Sequence, residues 1–116
     1  MSSKTETVAS SSSGTIGRAV NEARGVSVLL DSSSRPQPDV LTNSEAFLGS
    51  ISSCGVTLIE MHARDTGVAL SRMAVTIDGT RTVADPTRFA GIAMRFELAG
   101  VSQAQAEELV QVWRSR

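Results

Sequence analysis

The chain has 116 residues, 41% of them hydrophobic and 20% charged, with a formal net charge of −1. That suffices for one globular domain with a modest core, and it argues against disorder, a nucleic-acid-binding face and electrostatic attachment to an anionic membrane. A single cysteine and a single histidine exclude an internal disulfide and a zinc site within one chain, and no cofactor is implied.

The N-terminal stretch "MSSKTETVASSSSG" lacks the apolar core of a signal peptide, and no run approaches the roughly 18 apolar residues needed to span a bilayer. The expected location is the cytoplasm, without nucleic-acid or membrane partners. Residues 1–14 read as a Ser-rich tail or a weak edge strand, and residues 15–116 as a single domain. "TIGRAV" (15–20) and "GVSVLLD" (25–31) predict two strands of a hairpin with its turn at "NEAR" (21–24). "SSSRPQPDVLT" (32–42) predicts a loop, because its prolines interrupt any regular element.

A long helix is expected next. Asn43 or Ser44 is the N-cap candidate, and Glu45 lies in the first turn, where the helix dipole favours negative charge. Phe47, Ile51, Cys54, Leu58 and Met61 recur at helical spacing and predict one apolar face. Gly67 closes the helix, with His62 and Arg64 in its last turn. "SRMAVTIDGTRTV" (71–83) and "RFAGIAMRFEL" (88–98) alternate as half-buried strands joined by "ADPT" (84–87). After Gly100, Ser102 and Gln105 have capping-box spacing and open a second helix that runs to the chain end. Its apolar face is Ala106, Leu109, Val110 and Trp113. The order β-β-α-β-β-α gives an α+β chain, an antiparallel sheet with two helices packed on it.

Cys54 sits among Gly49, Ser50, Ser52, Ser53 and Gly55, poor helix formers whose small side chains permit close packing or leave a pocket. On residue chemistry alone, a cysteine on an apolar stripe reads more readily as an inert packing residue than as a nucleophile. Activation requires a positive charge or a base, and His62 is about two turns farther along the helix, out of hydrogen-bond reach. Glu45 falls nearly half a turn out of phase with Cys54 and reads by itself as a first-turn carboxylate.

Three stretches resemble the OsmC/Ohr family, the osmotically inducible and organic hydroperoxide resistance proteins. "NSEAFLGSISSCGVTLIEMHARDTGVAL" looks like that family's central helix, "SRMAVTIDGTR" like the strand after it, and "RFAGIAMRFELAGVSQAQAEELVQVW" like its last strand, turn and helix. The resemblance covers residues 43–113 and implies an OsmC-like fold: an antiparallel sheet, a central helix and a C-terminal helix in an intertwined homodimer with active sites at the interface. In catalytic members a thiolate attacks an organic hydroperoxide, an arginine of the N-terminal ribbon favours the thiolate, and a glutamate at the helix start holds that arginine. The resemblance implies Cys54 as nucleophile, Glu45 as the glutamate, and Arg18 or Arg24 as the arginine, with Arg18 preferred because it lies inside a strand.

Two departures stand out. Asn43 and Ser44 replace the helix-start proline of the hydroperoxide-reducing members, whose glutamate lies one residue farther from the cysteine. The family's resolving cysteine follows the second helix, whereas this chain stops at "WRSR", so either the chain is a shortened piece or an external thiol reductant takes that role. The leading expectation is therefore a one-cysteine peroxidase for organic hydroperoxides that uses a small or protein dithiol. Its rival is a catalytically silent dimer that binds a small apolar ligand, with Cys54 as packing.

Overall fold

A computed structural model describes residues 3–32 and 36–115 of the chain. It contains β1 (Ala9–Ser12), β2 (Arg18–Ala23), β3 (Val26–Asp31), β4 (Leu41–Thr42), α1 (Asn43–Thr66), β5 (Arg72–Thr80), β6 (Gly91–Ala99) and α2 (Gln103–Arg114). The α+β class holds, but the strands form two sheets, one of order β1-β2-β3-β4 and one of β5-β6. All pairings are antiparallel except the short β3–β4 pair. The chain divides into two compact units, Met1–Phe47 and Leu48–Arg116.

In the first unit, the Ser-rich segment does carry an edge strand, β1, paired to β2 from Ala9↔Glu22 to Ser12↔Ala19. The hairpin turn lies later than the sequence suggests. β2 continues through Ala23, which pairs with Val26, leaving Arg24 and Gly25 as the two turn residues at φ 56° and 84°. Positive φ at both central positions defines the primed turn whose twist matches a two-residue hairpin, so "NEA" extends the strand. Of the expected loop, residues 33–35 lie outside the described residues, and Leu41 and Thr42 pair with Leu30 and Asp31. The buried side chain among the described residues of this unit is Asp31; Val26, Val28 and Leu41 are all more than half exposed.

In the second unit, β5 and β6 pair from Arg72↔Ala99 to Thr80↔Gly91, which stacks Met73 with Leu98, Val75 with Phe96 and Ile77 with Met94 on one face. Both strands stop short of their expected outer limits on the connecting side. Between them, Arg81 donates to the Pro86 carbonyl and lies 4.1 Å over the Phe89 ring, while Asp85 accepts from the Thr87 N–H and hydroxyl. These local bonds engage part of residues 81–90 outside the ladder, and the connection is longer than "ADPT" alone.

α2 opens with the expected capping box. Ser102 Oγ accepts from the Gln105 N–H at 3.1 Å, and Gln105 Oε1 accepts from the Ser102 N–H at 3.0 Å. The helix ends at Arg114, with Ser115 as its cap. α1 closes at Gly67, φ 73°, where the Val68 N–H reaches the Ala63 carbonyl and the Gly67 N–H the Arg64 carbonyl. That bond pair is the left-handed C-terminal motif, and Val68 then packs beside Ala63.

The core of this unit is Ile59, Ala63 and Leu109, with Val68, Leu70, Met73, Phe96, Leu98, Val110 and Trp113 packed against it. α1 therefore turns Gly55, Ile59 and Ala63 inward, not the stripe through Cys54. Large apolar residues mark the Cys54 stripe in the sequence, but the inward face is built from small residues around one isoleucine. Phe47 and Met61 are 53% and 48% exposed. Gly55 lies on that face, and a Cβ there would be 3.6 Å from Phe96 and from the Trp113 indole, ordinary contact distance, so both rings pack against this turn of the helix. Phe96 and Trp113 are themselves tilted at 57°, with centroids 5.5 Å apart.

Glycines at two positions give opposite expectations. Alanine at Gly55 meets the rings at ordinary contact distance and gains helix propensity, so Gly55→Ala should raise stability by up to about 1 kcal/mol. At Gly100, φ 89°, a Cβ would fall 2.7 Å from Ser71 Oγ and 2.8 Å from the Ala69 carbonyl. Gly100→Ala should therefore cost about 1–3 kcal/mol, and denaturant unfolding of the two variants checks both signs.

Candidate functional site

Cys54 is exposed on α1. It opens into a groove of about 520 Å³ lined by Ser50, Ile51, Leu58, Trp113 and Arg114. Small Ser50 lines the groove, and the Trp113 indole that forms its wall packs against Gly55. The lining is largely apolar, with one guanidinium at the rim. Sequence reasoning found Cys54 and the space around it, but not Trp113 and Arg114 as its neighbours. Only the docking of α2 brings those two to the groove. Gly49 faces open space, so no close packing accounts for it. His62 is half-buried and lines a separate groove with Thr66, Val68 and Leu109.

Glu45 is engaged at the start of α1. Thr42, and not Asn43 or Ser44, caps the helix: its Oγ1 accepts from the Glu45 N–H at 3.1 Å, while Glu45 Oε1 accepts from the Thr42 N–H at 2.9 Å. This is a reciprocal capping box, legible as Thr-x-x-Glu over residues 42–45. Asn43 instead donates its side-chain amide to the Ser32 hydroxyl.

Arg18, in β2, has its guanidinium on Asp39. Nη1 donates to Oδ2 at 3.1 Å and Nη2 to Oδ1 at 2.9 Å, a fork-to-fork pair. The Arg18 side chain is 20% exposed and that of Asp39 62%. Asp31, buried in β3, lies directly across the ladder from Arg18. The bond to Asp39 raises the Arg18 pKa above its ordinary value, with a smaller contribution from the charge of Asp31. Reciprocally, the bond from Arg18 holds the Asp39 carboxyl below the usual carboxylate range, helped by a backbone N–H. In this chain Arg18 takes its carboxylate partner from the loop before β4, while Glu45 serves the helix start. Arg24 sits exposed in the hairpin turn. No local signal marks Asp39, because its partner is 21 residues away in sequence.

Among the described residues no group of three or more histidine, cysteine, aspartate or glutamate side chains is placed to hold a metal ion, and no helix is long and apolar enough to cross a membrane.

No protein-family model matches the chain, and neither does any curated protein. Solved structures do. An OsmC-like protein from Mycoplasma pneumoniae superposes with a TM-score of 0.80 at 14% identity, covering 97% of this chain and 82% of that one. An organic hydroperoxide resistance protein OsmC from Legionella pneumophila gives 0.72 at 17% identity, covering 99% and 85%. The organic hydroperoxide resistance protein OhrB of Bacillus subtilis gives 0.61 at 13% identity, covering 97% and 84%. Identities this low speak to fold.

Two measurements follow from this geometry. Thr42→Ala should cost about 1 kcal/mol in denaturant unfolding through loss of the cap. Asp39 should titrate, by carbon-detected NMR, below its ordinary value of 3.8, and return toward that value in Arg18→Ala. Because the folded value is depressed, the pair's small contribution to stability is present above the unfolded value and is lost as pH falls through the folded one.

Proposed function

We propose that this chain, which has the fold of the OsmC and Ohr proteins, works as a thiol-dependent peroxidase for organic hydroperoxides in the cytoplasm. The observation that carries the reading is the exposed Cys54 thiol opening into an apolar groove walled by Ile51, Leu58 and Trp113. A hydroperoxide with a hydrocarbon body matches those walls, and its peroxide end meets the sulfur. The Cys54 thiolate attacks one peroxide oxygen and the O–O bond breaks. Sulfur is oxidised to a sulfenic acid, and the second oxygen leaves as an alkoxide that takes up a proton to become an alcohol. With Cys54 the single cysteine of the sequence, the cycle closes on an external dithiol. It reduces the sulfenic acid to the thiol, is itself oxidised to a disulfide, and releases water.

The working form in this reading is a homodimer. Two features support it: the apolar stripe of α1 through Ile51, Leu58 and Met61 faces away from the core of its own unit, and the first unit buries no hydrophobic side chain among its described residues. A second copy covers both. Arg18, brought from the N-terminal ribbon across that interface, is the cation that favours the thiolate. Glu45 acts at one remove, by fixing where α1 begins.

The test is intact-mass spectrometry of reduced protein after a stoichiometric pulse of cumene hydroperoxide with a sulfenic-acid trap present. A trapped adduct is expected on Cys54 in folded but not unfolded protein, and none in Cys54→Ser. An unmodified mass from folded protein sinks the peroxidase, and leaves the groove to the rival reading, a site for a small apolar ligand. Light scattering should give a dimer mass, and Leu58→Asp should shift it toward the monomer.

A further inference from the structure

We infer that Arg114 is a specificity-determining residue of the Cys54 groove, and that the groove selects an aromatic hydroperoxide bearing a carboxylate. The ring lies along Trp113, the carboxylate meets the Arg114 guanidinium, and the peroxide end reaches the sulfur. The inference rests on the peroxidase reading for its chemistry and adds which organic body the groove prefers.

The groove lies within the second unit, since Ser50, Ile51, Cys54, Leu58, Trp113 and Arg114 all belong to it. Its volume of about 520 Å³ is that of a small-molecule site. No acid lines it, and Arg114 brings the one permanent charge. Apolar walls alone disfavour an anionic body, because its carboxylate loses water and gains nothing in return. A guanidinium at the rim reverses that bias, since its planar fork donates two parallel N–H bonds to a carboxylate.

The guanidinium is available for this task. Arg114 also borders a second groove, which holds Glu97 and Glu107, but both acids are engaged elsewhere. Glu97 accepts from Arg95 Nε at 3.2 Å, and Glu107 accepts from the Gln103 amide at 3.3 Å. Arg64 and Arg88 pair with Asp65 and Asp85, and Arg81 donates to the Pro86 carbonyl. Among the described residues no ion pair or hydrogen bond engages the Arg114 guanidinium. The residue before it supplies the ring. Trp113 is held by Phe96, with centroids 5.5 Å apart, and by the Gly55 turn. It therefore meets a substrate as a wall already in place, against which a second ring packs offset or edge-on. A cation in the last turn of α2 also complements the helix dipole. That role needs the charge alone and is indifferent to what occupies the groove, so the two are separable.

Trp113 is the sole tryptophan of the sequence, and its fluorescence reports the groove directly. The full chain is titrated with para-isopropylbenzoate and with neutral para-isopropylbenzyl alcohol, as wild type, Arg114→Lys and Arg114→Gln. In parallel, kcat/KM is compared for para-carboxycumene hydroperoxide and cumene hydroperoxide. Reading each carboxylate-to-neutral ratio against the same ratio in the variant cancels the electronic effect of the ring substituent. Arg114→Gln is expected to lower both ratios by about five- to tenfold, the kinetic one chiefly through KM. Arg114→Lys, which keeps the charge and loses the fork, is expected to retain part of the preference. Raising the ionic strength should lower the ratios in wild type without any substitution. If Arg114→Gln lowers the thermal midpoint but leaves both ratios unchanged, Arg114 serves the helix end and the specificity role is overturned. Ratios in wild type that salt does not move overturn it as well. An Arg114-dependent preference for the benzoate, with no oxidation of Cys54 by either hydroperoxide, sinks the peroxidase reading and the substrate assignment with it.

Discussion

Contact between the Trp113 indole and the Gly55 turn of α1 shapes much of what surrounds the thiol. It is part of the packing of α2 on α1, in which Leu109 clusters with Ile59 and Ala63. The same indole then forms one wall of the groove beside the neighbouring residue, Cys54. Core and candidate site thus share a ring, which packs against the core cluster and also lines the groove. An alanine at position 55 would keep this contact, whereas a leucine would fill the space that the ring needs.

The helices and the two long strands were readable because their signals are local. Capping at Ser102–Gln105, the alternation of Met73, Val75 and Ile77, and the stop at Gly67 each depend on neighbours a few positions apart. The inward face of α1 was misread because periodicity weighs large side chains, and Phe47, Ile51, Leu58 and Met61 outweigh Gly55 and Ala63 on any such scale. The N-cap was assigned one residue late for a different reason. Asn43 and Ser44 are good caps in isolation, but Thr42 alone has a glutamate at the right spacing to answer it. Cys54 was visible as a candidate and the groove beside it was foreshadowed by the small residues. The Arg18–Asp39 pair was not, since no short-range pattern links a β2 residue to an acid 21 positions away in the loop before β4.

Cys54 stands apart from the usual device for activating a thiol, the first turn of a helix. It sits in the middle of α1, where the backbone N–H groups are occupied by the helix itself. A thiolate at such a place needs its stabilising charge from a side chain. That side chain must in turn be held, because a free arginine loses rotamer entropy each time it engages.

The first unit has a further consequence. Its ladder is satisfied and its one described buried side chain is a carboxylate, so backbone bonding, not the removal of apolar area from water, accounts for its internal cohesion. A sheet of that kind gains order from any surface that covers it. Were that cover a second copy of the chain, as proposed above, dilution would loosen the ribbon before it disturbed Ile59 and Leu109, whose packing lies within one chain.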